Sequence, residues 1–162
     1  MPFFVKGEKI ILKRDGTWVA DGTEITHEQT RDTFFKSIRW DEKERKYCLE
    51  IGYEVLFIEV EDTPYFVTSV EPRDGAAPLA RLSNFTELPI RSDRIEYRDG
   101  SLYLRRDDGQ RARFLSAPYY DLLRGLQEDD RYYFLTIAGE RVNLSPKGSG
   151  NPASRPGAPE RR

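Results

Sequence analysis

Ile11-Leu12-Lys13-Arg14-Asp15-Gly16-Thr17-Trp18 and Ile95-Glu96-Tyr97-Arg98-Asp99-Gly100-Ser101-Leu102 are two versions of one pattern, set 84 positions apart. Each runs from a short apolar segment through Arg-Asp-Gly into a second strand-like segment. Asp-Gly between such segments marks a hairpin, because glycine takes φ > 0 without a Cβ clash. The features that follow keep the same order in both halves. Asp21-Gly22 or Asp108-Gly109 comes next, then a helix signal, then an aromatic strand, Tyr47-Cys48-Leu49-Glu50-Ile51 or Tyr133-Phe134-Leu135-Thr136-Ile137. The pattern predicts a duplicated unit of β-hairpin, helix and strands.

The periodicities support that reading. Residues 10–12, 55–60, 65–70 and 132–137 are short runs rich in β-branched and aromatic side chains, bounded by Gly, Pro or acidic clusters, and read as strands. Thr26-His27-Glu28-Gln29 reads as a capping box with Thr26 as N-cap, followed by a stripe of Phe34, Phe35 and Ile38. A second helix begins at Ser116 with Pro118 in its first turn, where a missing N–H costs nothing, and Tyr119, Leu122, Leu123 and Leu126 fall on one face. The fold class expected is α+β: an N-terminal α+β subdomain over residues 1–80 and a C-terminal β-rich subdomain with one helix over 81–144. Residues 145–162 carry four prolines, three glycines and no aromatic, and are expected to be a disordered tail. Gly148-Ser149-Gly150 within it is not expected to cradle phosphate, since no strand is predicted before it and no helix after it.

Composition excludes several chemistries. The 162 residues include one His and one Cys, too few for a Cys/His zinc site or a disulfide framework, and no metal or cofactor is implied. The best apolar run, Val55-Leu56-Phe57-Ile58, is far short of the roughly 20 residues a membrane helix needs. With no secretory leader in the N-terminal residues, a cytoplasmic location is expected. A formal charge of −2 gives no general drive toward nucleic acid. Walker, dinucleotide and G-x-S-x-G patterns are missing; His27 lacks the second histidine of a zinc-protease helix, and Cys48 sits in an aromatic strand with no histidine nearby.

Taken together, Arg14-Asp15-Gly16-Thr17-Trp18, Gly22, Ile25, Val60-Glu61-Asp62-Thr63-Pro64-Tyr65, Pro118-Tyr119, Leu123-Arg124-Gly125-Leu126 and Arg131-Tyr132-Tyr133 resemble, in order and spacing, the bacterial domain-of-unknown-function family 1285. The resemblance spans residues 8–144. It implies a duplicated α+β fold whose second subdomain is similar to a pleckstrin-homology-like barrel. It also implies a cleft between the subdomains that takes a nucleotide-like ligand, and a part in signal transduction. Leu82-Ser83-Asn84-Phe85-Thr86 departs from the family pattern, so no ligand contact is assigned there.

The candidate ligand-binding residues are Trp18, Glu61, Asp62, Tyr65, Tyr119, Arg124 and Tyr132. Trp18, just past a hairpin, could stack on a flat ring or pack on its own subdomain. The tyrosines, with Tyr133, offer hydroxyls and ring faces. Arg124 could grip phosphate bidentately, or pair with Asp121 or Glu128 at helical spacing. Glu61-Asp62 end a strand and could orient an amine or hydroxyl, or form a solvated turn. Arg105-Arg106 face Arg111 and Arg113 across Asp107-Asp108-Gly109, a basic hairpin that the two aspartates are expected to neutralise in part. Three functional readings follow: a non-enzymatic ligand-binding or regulatory module for a nucleotide-like or phosphorylated small molecule, a protein-interaction adaptor, and an enzyme using Glu61 or Asp62 as base.

Overall fold

The computed structural model describes residues 9–154 and divides into two compact units. Unit 1 comprises residues up to Tyr65 with Ser83–Phe85; unit 2 comprises Phe66–Leu82 and the chain from Thr86 onward. In chain order the strands are β1 (Ile10–Leu12), β2 (Trp18–Ala20), β3 (Thr23–Glu24), β4 (Ile38–Asp41), β5 (Lys46–Ile51), β6 (Glu54–Val60), β7 (Tyr65–Glu71), β8 (Leu79–Leu82) and β9 (Glu87–Pro89). They continue as β10 (Ile95–Arg98), β11 (Ser101–Arg105), β12 (Arg111–Phe114), β13 (Gln127–Glu128), β14 (Tyr132–Ile137) and β15 (Glu140–Pro146). Helix α1 is Glu28–Ser37 and α2 is Ser116–Leu123.

The expected duplication is present in element order. Three strands, a helix and three strands make β1–β2–β3–α1–β4–β5–β6, and the same succession returns as β10–β11–β12–α2–β13–β14–β15. Between the copies lie β7, β8 and β9, which join unit 2 by pairing β7 beside β12. The expected boundary at residue 80 therefore moves to Tyr65, because Phe66–Leu82 satisfies its backbone hydrogen bonds in the second sheet.

Unit 1 is a six-stranded sheet in the order β3-β2-β1-β6-β5-β4, with β1 and β6 parallel. The register brings Leu12 opposite Trp18 and Val60, Ile10 opposite Ile58, and Leu49 opposite both Leu56 and Ile38, so that one face is apolar. Helix α1 supplies Phe34 to this core, and Trp18 meets Phe34 and Phe35 edge-on at 5.1 and 5.3 Å. The N-cap is His27 rather than Thr26. The His27 Nδ1 accepts from the Thr30 N–H at 3.3 Å and contacts the Thr30 hydroxyl at 2.9 Å, which satisfies one orphan donor of the first turn. Ile38 ends the helix in extended conformation and begins β4, so the apolar stripe bridges helix and strand.

Unit 2 holds a six-stranded sheet, β10-β11-β12-β7-β8-β9, and a three-stranded sheet, β13-β14-β15. Leu102, Leu104, Ala112 and Phe114 bury one face of the β10–β12 hairpins, and Tyr119 and Leu123 of α2 are buried with them. Leu126 lies beyond the end of α2, and Tyr120 is buried instead. The turn between β13 and β14 is held by Asp129, whose Oδ1 accepts the N–H groups of Arg131 and Tyr132, both at 2.8 Å. Its Oδ2 accepts from Arg141, and that guanidinium lies over the Phe134 ring at 3.7 Å. These bonds, the Arg141 one first, hold the Asp129 carboxyl well below the usual carboxylate range.

Order continues past the expected limit at residue 144. Strand β15 runs to Pro146, and 3-10 turns follow at Lys147–Ser149 and Pro152–Ser154. Pro152 is buried because its carbonyl accepts the Tyr119 hydroxyl at 2.7 Å, a tie that proline and glycine content alone does not reveal. A strand thus does precede Gly148-Ser149-Gly150, contrary to the sequence expectation, although no α-helix follows it. The last eight residues of the expected tail, 155–162, lie outside the described residues.

Candidate functional site

The seven sequence candidates divide between the units: Trp18, Glu61, Asp62 and Tyr65 in the first, Tyr119, Arg124 and Tyr132 in the second. Trp18 has no exposed surface and packs edge-on against buried Phe34 and partly exposed Phe35, so no ring face is presented to a ligand. Tyr65 and Tyr119 are likewise buried. Arg124, 77% exposed, forms the i,i+3 ion pair with Asp121 at 3.1 Å. Tyr132, 36% exposed, opens β14 with its N–H on Asp129.

Glu61 and Asp62 follow β6 beside the residues that follow β1, because the two strands run parallel in register. The Glu61 N–H donates to the Leu12 carbonyl at 3.0 Å, and its Oε1 accepts the Arg14 N–H at 2.8 Å. Lys13 Nζ lies 3.9 Å from Glu61 Oε2, and Arg14 Nη1 lies 3.6 Å from Asp62 Oδ2. This corner is an internally neutralised clamp between two strand ends. Asp15 in the adjoining turn accepts the Thr17 hydroxyl at 2.7 Å and its N–H at 3.1 Å; the hydroxyl bond is the first cause of its lowered carboxyl pKa.

A different cluster collects charge. Alternation along a strand sends successive side chains to opposite faces. The register Glu96↔Tyr103↔Arg113, with Arg98↔Ser101 and Arg105↔Arg111, therefore puts Glu96, Arg98, Ser101, Tyr103, Arg105, Arg111 and Arg113 on one face of β10–β12. Four guanidinium side chains share that face with one carboxylate. Arg111 Nε donates to Glu96 Oε1 at 3.0 Å and to Oε2 at 3.2 Å; Arg98 Nη2 reaches Oε1 at 3.4 Å, and Arg105 Nη1 lies 4.0 Å from Oε2. The Arg98 guanidinium also lies 6.0 Å from the centre of the buried Tyr103 ring. Side chains of Arg98, Arg105 and Arg111 remain 59%, 43% and 43% exposed.

Of the two aspartates expected to neutralise the basic hairpin in part, Asp108 does so and Asp107 turns to a residue outside it. Asp107 pairs with Arg94 at 2.7 Å, and Asp108 with Arg106 at 3.4 Å. The basic hairpin is therefore split: Arg106 pairs within its own turn, while Arg105 and Arg111 converge on Glu96, Arg105 also donating from Nη2 to the Asp93 carbonyl at 3.1 Å. The sequence signal that could have found this is the shared parity of 96 and 98, of 103 and 105, and of 111 and 113 around two tight turns.

Elsewhere, burial pushes the Cys48 thiol up, with Glu50 and Asp41 adding to the effect. Among the described residues, no group of three or more His, Cys, Asp or Glu side chains is placed to hold a metal ion. No helix among them is long and apolar enough to cross a membrane.

Neither a scan of protein-family models nor a search of curated proteins gives a match. Two crystal structures are similar in fold. A DUF1285 family protein from Silicibacter pomeroyi DSS-3 aligns with a TM-score of 0.66 at 19% identity, covering 91% of this chain and 85% of that one. A DUF1285 family protein from Shewanella baltica OS155 aligns with a TM-score of 0.56 at 18% identity, covering 74% of this chain and 94% of that one. The duplicated strand–helix–strand architecture of this chain is thus the fold of DUF1285 family proteins.

Proposed function

We propose that the protein is a non-enzymatic regulatory module that binds a phosphorylated, nucleotide-like small molecule through the Glu96-centred arginine face of unit 2. The observation that carries this reading is the convergence of Arg98, Arg105 and Arg111 within 4.0 Å of one carboxylate. Planar guanidinium forks match phosphate oxygens bidentately, and their charge does not titrate away. Glu96 serves as an internal stand-in for the anion. It holds the guanidiniums in place while leaving the face with excess positive charge, so an incoming phosphate meets donors already oriented and little ordering entropy is lost on binding.

Calorimetric titration of the full chain with inorganic pyrophosphate and adenosine triphosphate tests the reading. Binding should weaken at least tenfold in Arg111→Gln and fall steeply with added salt. Glu96→Gln should tighten binding while lowering the folding stability, because it removes a competitor that also relieves repulsion among the arginines. Heats equal in Arg111→Gln and wild type, or no binding to either probe, would contradict it.

A second reading, a protein-interaction adaptor, draws on unit 1. Val55 and Phe57 alternate onto one face of β6 and are 48% and 43% exposed, and β4 forms the outer edge of its sheet. Capture of a specific partner that is lost in Phe57→Ser would favour it.

A further inference from the structure

The two copies of the repeat differ at one place. In unit 1 the ends of β1 and β6 are laddered in parallel up to Leu12↔Val60, and the Glu61 N–H extends the pairing to the Leu12 carbonyl. Their counterparts β10 and β15 are close neighbours in unit 2, yet they belong to separate sheets. The reason lies in β15. Counted from the equivalent turns Ile51↔Glu54 and Ile137↔Glu140, Lys147 stands where Glu61 stands, but β15 shifts register against β14 between Tyr133 and Phe134. The Lys147 N–H donates to the Arg131 carbonyl at 2.8 Å, beside the start of β14, and not to β10.

A hollow of about 460 Å³ opens where these strand ends part. Its walls include Tyr97, Asp99 and Gly100 from the β10–β11 hairpin, and Ser149, Asn151 and Ser154 from the turns after β15. The size lies within the range of small-molecule sites, roughly 300–1,000 Å³. No lysine or arginine lines it, and Asp99 gives it a carboxylate, so a phosphate would be repelled. Asn151 Oδ1 accepts the Ala153 N–H at 2.8 Å, which fixes the amide and leaves its NH₂ as a donor. The walls thus offer a carboxylate that accepts two hydrogen bonds, hydroxyls that donate and accept, an amide donor and one aromatic ring.

We propose that this hollow binds a neutral polyhydroxylated molecule of about the size of a monosaccharide or disaccharide. The Asp99 oxygens accept from neighbouring hydroxyls, Asn151 donates, and Tyr97 offers an apolar wall to the C–H surface of the ring. The site is separate in chemistry from the arginine face, and neither reading depends on the other.

The test is an amide-resolved NMR titration of the full chain with D-glucose, myo-inositol and sucrose, with inorganic phosphate as the charged control. The expected result is saturable shifts confined to residues 97–100 and 144–154 with at least one polyol, weakened at least tenfold in Asp99→Asn. Asparagine tolerates the left-handed conformation at this position, φ 50°, so the variant keeps the hairpin, and an otherwise unchanged spectrum verifies it. No saturable shift with any of the three polyols, an equal response to phosphate at these residues, or shifts indifferent to Asp99→Asn would each overturn the proposal.

Discussion

Leu12 and Tyr97 occupy the same place in the two copies of the hairpin: Leu12 stands opposite Trp18, and Tyr97 stands opposite Leu102. The constant offset of 84 pairs Leu12 with Glu96 instead, and the difference of one residue comes from the turns. In the first copy Lys13 closes on Thr17 across a three-residue Arg14-Asp15-Gly16 loop, whereas in the second Arg98 pairs directly with Ser101 across Asp99-Gly100. The order is then reversed, since Asp21-Gly22 is a two-residue turn and Asp107-Asp108-Gly109 a three-residue one. A one-residue slip exchanges the faces of a strand, so Glu96 is placed on the polar face among the arginines and not in the core.

The two-residue turn needs φ > 0 at both positions, and Asp99 and Gly100 sit at 50° and 78°. Gly100→Ala meets no atom within 4 Å, so its cost is the backbone conformation alone, about 1–2 kcal/mol. Urea denaturation should show that loss as a lower midpoint with an unchanged slope.

Trp18 is a core residue. Trp18→Ala should destabilise by about 3–5 kcal/mol, in the range for large aromatic deletions. Trp18 fluorescence, separated from half-exposed Trp40 by a Trp40→Phe background, should be blue-shifted and insensitive to iodide. Emission at the wavelength of free tryptophan would contradict the packing against Phe34 and Phe35.

The Tyr119 hydroxyl anchors Pro152. Tyr119→Phe should cost about 1–3 kcal/mol, because a buried carbonyl loses its donor. Hydrogen exchange should accelerate over residues 145–154, with β1–β6 unaffected.

Two aspartates set the acid limb of stability. Asp15 and Asp129 titrate below their ordinary value in the folded chain, so near pH 4 the unfolded chain binds more protons and stability rises with pH. Their contribution is complete above about pH 5 and is lost as pH falls below about 4. Cys48 has the opposite sign: its thiol is raised, the unfolded chain ionises first, and stability falls as pH rises past about 8.5. Urea midpoints across pH should show a shallower acid limb in Asp15→Asn with Asp129→Asn, and a shallower alkaline limb in Cys48→Ala.

Much of the fold was legible in residue patterns. Tyr132 to Ile137, Tyr47 to Ile51 and the run from Val55 to Val60 are apolar and β-branched enough to read as strands directly, and the Asp-Gly pairs marked the hairpins. Non-local pairing was not legible. Nothing local in Phe66 or Val67 says that their strand joins β12, and His27 caps α1 although Thr26 has the stronger cap propensity. The site residues divide in the same way. Trp18, Tyr65 and Tyr119 carry ring faces and hydrogen-bonding groups suited to a ligand, yet large aromatic side chains bury the most apolar area and are drawn into cores. The arginines around Glu96 are not legible as a site in the sequence, because their convergence depends on register across three strands.

The most direct test is an amide-resolved titration of the full chain with inorganic pyrophosphate, comparing wild type with Arg111→Gln and with Arg124→Ala as control. The account predicts saturable shifts at residues 96–98, 103–105 and 111–113, weakened at least tenfold by Arg111→Gln and unchanged by Arg124→Ala, whose exposed pair with Asp121 lies outside this face. Shifts centred on Arg124, or an Arg111→Gln chain that binds pyrophosphate as wild type does, would contradict it.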